Sequence, residues 1–207
     1  KNPFVEIIQE PRLGENFRLL LPRPGYEANY FLSAEQTVDR IDETSDGITC
    51  HYSSLRNARE TLGVDVRYHI RTVESRLEFS IEVENPTELP LAEVFFGIVG
   101  GQQGIGDRHD TESLVPRWNT NTAPTVFTNF RAGGYGGGNL GIRYDAAGFL
   151  YPGYPAMTMG WMEFFNRKAN MGLHYANHDP EPRQSALYFE LRPFTKSAVV
   201  GENWPTP

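Results

Sequence analysis

Trp161 and Glu163 stand two apart in the run Met157–Asn166 (MTMGWMEFFN), so on a strand both side chains project from one face. An indole beside a carboxylate is one way a protein holds a sugar. The flat ring stacks on the apolar face of the pyranose, and the carboxylate accepts hydrogen bonds from its rim. The same two residues also describe a strand edge with one salt bridge. The surrounding span, Tyr151 to Asp179, is dense in aromatic residues and closes on His178-Asp179, a pair suited to hydrogen bonds with a hydroxylated ligand. Upstream, Asp107-Arg108-His109-Asp110 gathers two carboxylates, a guanidinium and an imidazole, the groups that general acid–base chemistry needs. Tyr135 sits within a glycine run, Ala132 to Asn139, whose hinges would let its phenol cover a ligand. The expected substrate-binding set is therefore Asp107, His109, Asp110, Tyr135, Trp161, Glu163, His178 and Asp179.

Other chemistries find less support. His174 and His178 are four apart, which on a helix would place two zinc ligands on one face. The residues between them read as a strand end, where four residues span about 13 Å. No metal site and no cofactor are expected. The charged loop at 107–110 does not match a known calcium-loop spacing, and neither glycine segment carries Gly-Lys-Ser/Thr ahead of a helix. There is no Gly-x-Ser-x-Gly elbow and no Cys/His pairing for a nucleophilic hydrolase. A glycosidase needs a second carboxylate at a defined separation, which spacing alone does not place, so no catalytic residue is assigned.

The elements that must position these residues are strands. Val64, Val66, Tyr68, Ile70 and Thr72 alternate with Asp65, Arg67, His69 and Arg71. After a turn at Glu74-Ser75, Leu77, Phe79, Ile81 and Val83 alternate with Glu78, Ser80, Glu82 and Glu84. The two runs predict an antiparallel hairpin whose outer face pairs arginines with glutamates. Leu91 to Val99 is apolar on both faces, as a central, covered strand would be. Further strands are expected at Phe17–Leu21, Glu35–Ile41, Ile48–Leu55, Val126–Phe130, Ala156–Phe165, Met171–Ala176, Ala186–Leu191 and Ser197–Val200, with at most a single turn of helix near Ala34–Val38. No window holds a helical apolar stripe for three turns. The fold class is all-β, and its many strands suit a two-sheet antiparallel sandwich.

Composition agrees with many strands joined by turns: 20 glycines, 15 prolines and 13% aromatic residues. The formal net charge of −7, with no offsetting Lys/Arg cluster, argues against a nucleic-acid partner or an anionic membrane surface. No stretch approaches the roughly 20 apolar residues of a membrane span. Cys50 is the single cysteine, on the same strand face as Ile48 and Tyr52, and is expected to be a small buried residue. The compartment stays open, with secreted or periplasmic favoured over the alternatives.

Glu15 to Pro22 (ENFRLLLP), Asn29-Tyr30-Phe31 and Glu35-Gln36, followed by Tyr151-Pro152-Gly153, Met157–Asn166, Gly172-Leu173-His174-Tyr175 and His178-Asp179, resemble an uncharacterised bacterial family that looks like glycoside hydrolases. The resemblance runs, with gaps, from about Pro11 onward. It implies a galactose-mutarotase-like β-supersandwich over residues 1–200, with 201–207 a linker or the start of a following domain. In such proteins the sandwich precedes a (β/α)₈ barrel that carries the catalytic carboxylates. This chain has no alternating βα segment, so no catalytic residue transfers to it. What the resemblance implies is an accessory domain of a carbohydrate-active enzyme, with a carbohydrate and a catalytic barrel of the same protein as partners. The alternatives are a stand-alone carbohydrate-binding module stacking sugar on Trp161, Tyr135 and Tyr154, or a small epimerase or lyase using His109, Glu163 and His178.

Overall fold

A computed structural model describes residues 14–25, 27–99, 105, 111–115, 125–128, 146–151, 161–177 and 185–190. Among these residues there are fifteen strands and a single 3-10 turn, Ser33–Glu35. Every pairing is antiparallel. The fold is all-β. The chain forms two compact units, and the described residues up to 99 fall in one and those from 105 onward in the other.

In the first unit, β1 (Phe17–Leu20), β2 (Tyr30–Leu32) and β9 (Glu93–Phe96) form a sheet in the order β2-β1-β9. A second sheet runs β3 (Arg40–Glu43), β4 (Gly47–Tyr52), β7 (Asp65–Val73), β8 (Arg76–Glu84). A short ladder joins β5 (Leu55–Arg56) to β6 (Thr61–Leu62). Alternation sends Phe17, Leu19 and Phe31 from the first sheet and Cys50, Tyr52, Val66 and Tyr68 from the second into one core. The Phe17 ring lies 5.2 Å from Tyr52, edge to face, and 6.0 Å from Tyr68. Each fully buried large apolar side chain of this kind contributes about 1.5–3 kcal/mol. The Tyr68 hydroxyl is buried beside the Gly97 amide without a hydrogen bond of ordinary geometry.

The anticipated β7–β8 hairpin forms around a loop of Glu74 and Ser75, in a register that sets Val66 opposite Val83, Tyr68 opposite Ile81 and Ile70 opposite Phe79. Glu74 takes a φ of 55°, the left-handed conformation that a tight two-residue hairpin loop demands at its first position. On the outer face Arg67 reaches Glu82 at 3.0 Å and Glu84 at 3.4 Å. Arg71 instead turns to Asp46 at 2.9 Å. Cys50 is buried, on the face shared with Tyr52.

Two expectations need correction. Among the described residues the apolar run Leu91–Val99 is not a central strand. Its strand part, β9, pairs there with β1 alone and stands at the edge of its sheet, and Val94 and Phe96 are 37% and 48% exposed. An apolar run reports what a strand could bury, not how many neighbours it has. The segment expected as a strand over Glu35–Ile41 begins as the 3-10 turn and becomes β3 only at Arg40. Polar side chains capture the backbone there. Ser33 Oγ accepts from the amides of Asn16 and Phe17, and Gln36 Nε2 donates to the carbonyls of Leu32 and Arg56.

One polar network lies within this unit. Asn29, 2% exposed, donates to Glu60 Oε1 at 2.8 Å and accepts from Asn57 Nδ2 at 2.7 Å, while Arg23 holds the other Glu60 oxygen at 3.0 Å. A buried amide is tolerated because both of its ends are satisfied.

The second unit contains a sheet ordered β11 (Thr125–Thr128), β10 (Thr111–Val115), β13 (Trp161–Asn166), β14 (Met171–Ala176), and a pair formed by β12 (Ala146–Tyr151) and β15 (Ser185–Glu190). β10 and β12 fall outside the strands expected from periodicity. Gly148 interrupts the apolar pattern of β12, and β10 carries only Leu114 and Val115 as apolar residues. The expected strand at Ser197–Val200 lies outside the described residues.

Candidate functional site

The hairpin β13–β14 builds the site, and its turn sets the register. Asn166 is buried, and its side-chain oxygen accepts from the Ala169 amide at 3.0 Å while its amide nitrogen donates to the Ile105 carbonyl at 2.8 Å. Asn170 closes the turn at φ 51°, a conformation asparagine adopts more readily than most residues. With residues 167–170 as the turn, counting outward pairs Phe165 with Gly172, Glu163 with His174 and Trp161 with Ala176.

Alternation then sorts the hairpin into two faces. On one, Phe164 meets Tyr175 edge to face at 5.9 Å. Burial pushes the Tyr175 phenol up to about 12. The other face carries Trp161, Glu163, Phe165 and His174. Glu163 Oε1 lies 2.9 Å from His174 Nδ1, and both side chains remain substantially exposed, at 38% and 50%. The Trp161 ring stacks on the His174 imidazole with centroids 5.4 Å apart and planes at 30°. Farther along, the Arg167 guanidinium sits 4.9 Å over the Phe165 ring. In the β10 register Leu114 stands opposite Glu163.

Trp161 and Glu163 therefore share one face and one cluster, as their spacing requires. His174 joins them, and the sequence reading considered it only as a zinc ligand. The missing signal was the turn: once 167–170 closes the hairpin, Glu163 and His174 are direct cross-strand partners. The other expected site residues, Asp107, His109, Asp110, Tyr135, His178 and Asp179, lie outside the described residues. Among the described residues no group of three or more His, Cys, Asp or Glu side chains is placed to hold a metal ion.

The cluster presents a half-covered aromatic surface, a carboxylate oxygen not engaged by the histidine, and the second ring nitrogen, Nε2, of a half-exposed imidazole. Flat apolar area beside fixed polar tips suits a ligand with one apolar face and a hydroxylated edge. Comparison with known proteins finds no matching family model, curated protein or solved structure.

Proposed function

We propose that this chain is an accessory β-sandwich part of a carbohydrate-active enzyme, similar to the galactose-mutarotase-like supersandwich of glycoside hydrolases, and that it binds sugar on the outer face of β13–β14. The observation that carries the reading is the Trp161–His174 stack bordered by Glu163. It coincides with the resemblance: the motifs Met157–Asn166 and Gly172–Tyr175 contain the two strands of this hairpin. The fold class is compatible with such a domain, because an antiparallel all-β frame offers rigid strand faces on which stacking groups keep their spacing. In this proposal a catalytic barrel of the same protein performs the bond cleavage, and Asp107, His109, Asp110, Tyr135, His178 and Asp179 add polar contacts to substrate.

Affinity electrophoresis through gels containing soluble polysaccharides tests the binding role. The unmodified chain should be retarded by at least one polysaccharide. Trp161→Ala, on a half-exposed strand position, should weaken that retardation about tenfold or more while leaving the far-ultraviolet circular dichroism unchanged. Equal retardation of the two proteins would remove Trp161 from the site, and no retardation in any gel would end the carbohydrate reading.

A further inference from the structure

The polarity of the hydrogen-bonding groups on this face restricts which sugar it can take. A carboxylate only accepts, so His174 Nδ1, 2.9 Å from Glu163 Oε1, carries a hydrogen and donates it. In the neutral imidazole this fixes the tautomer and leaves Nε2 as an acceptor. The second Glu163 oxygen is an acceptor as well. The two polar tips that flank the indole thus accept, and one of them is negatively charged. The next cation along the hairpin, Arg167, is over Phe165. Residue 167 belongs to the turn, past the end of β13 at Asn166, and the three strand steps from Glu163 to Asn166 alone span about 10 Å.

Such a surface asks its ligand for donors and positive charge. An ammonium supplies three donors, pairs with a carboxylate and is attracted to the face of an indole. A neutral sugar offers hydroxyls that can donate but brings no charge. A uronic acid brings a second carboxylate to a site already holding one, on a chain of net charge −7.

We infer that the β13–β14 face recognises an amino sugar, a hexosamine unit with a free amine, through Glu163 and the Trp161–His174 stack. The inference rests on the carbohydrate-binding role proposed above. Calorimetric titration of the full chain at fixed ionic strength, with a glucosamine tetramer, a glucose tetramer and a galacturonate tetramer, tests it. The glucosamine tetramer should bind about tenfold tighter than the glucose tetramer, the increment expected for one charge-assisted contact. The galacturonate tetramer should bind most weakly. In Glu163→Gln, which keeps the shape and removes the charge, the ratio of glucosamine to glucose affinity should fall toward one, whatever loss is common to both tetramers.

Binding of glucose as tight as glucosamine would overturn the amino-sugar assignment and leave the carbohydrate role standing. A glucosamine preference unchanged in Glu163→Gln would place the ammonium elsewhere on the acidic surface and overturn it too. Absence of heat with all three would overturn the amino-sugar assignment, and the gel panel would then decide the carbohydrate role by itself. Should Glu163→Gln fail to fold, the ranking of the three tetramers with the unmodified chain decides the matter.

Discussion

Tyr175 and His174 are neighbours in β14 whose side chains leave opposite faces of the sheet, and the two faces ask different things of them. His174 is turned to Glu163 at the exposed face, whereas Tyr175 is set against Phe164 and its phenol is pushed up to about 12 by burial. The ordinary tyrosine value is 10.0. Between the two values the unfolded chain loses the proton and the folded chain keeps it, so the unfolded state binds fewer protons and stability falls as pH rises. The contribution is fully present below pH 10 and is lost through pH 12, on the order of 2–3 kcal/mol. Urea unfolding followed by tryptophan fluorescence between pH 9 and 12 should therefore show a shallower alkaline decline for Tyr175→Phe than for the unmodified chain; parallel declines would refute the assignment. At this scale some of the structure was legible before any coordinates. The burial of Cys50 and the shared face of Trp161 and Glu163 follow from a period of two. The Glu163–His174 contact does not, because it joins two strands and depends on where the turn closes.

Strand elements are held by backbone approach as much as by side chains. Gly47 opens β4 directly opposite Arg71 of β7, and a Cβ added there would collide with the carbonyl oxygen of Ile70. Gly47→Ala should cost at least about 2 kcal/mol, since the obstacle is backbone and cannot swing away. A denaturant midpoint within error of the unmodified chain would show that β4 can move aside without loss. The β7–β8 hairpin was readable from Val64 to Val83 because nine-residue strands with one buried face announce both period and register. Shorter elements were not. β2 has three residues, β12 is broken by Gly148, and the 3-10 turn at Ser33 exists because its hydroxyl serves two amides sixteen and seventeen residues away in the chain. The misjudged run Leu91–Val99 shows the other limit. Its composition matches a covered strand, yet among the described residues it has one neighbour, and neighbour count is a property of the sheet.

At the scale of the molecule, every described sheet draws its strands from one side of the division near residue 102. The three tryptophans, Trp118, Trp161 and Trp204, all follow that division in sequence. Tryptophan fluorescence should therefore report unfolding of the second unit alone, while far-ultraviolet circular dichroism reports strands of both. The two transitions are expected not to coincide in urea, the usual sign that one all-or-none step does not describe the chain. Coincident curves would mean that the units unfold together. The buried thiol gives the first unit a reporter of its own. Cys50 is flanked by Ile41 on β3 and Tyr68 on β7, is 7% exposed, and burial raises its ionisation above the ordinary thiol value. Both access and thiolate are withheld while those strands stay paired. A disulfide reagent then acts as a clock for one event, the parting of β4 from its neighbours. The chain's single cysteine lets that event be timed without engineering a label.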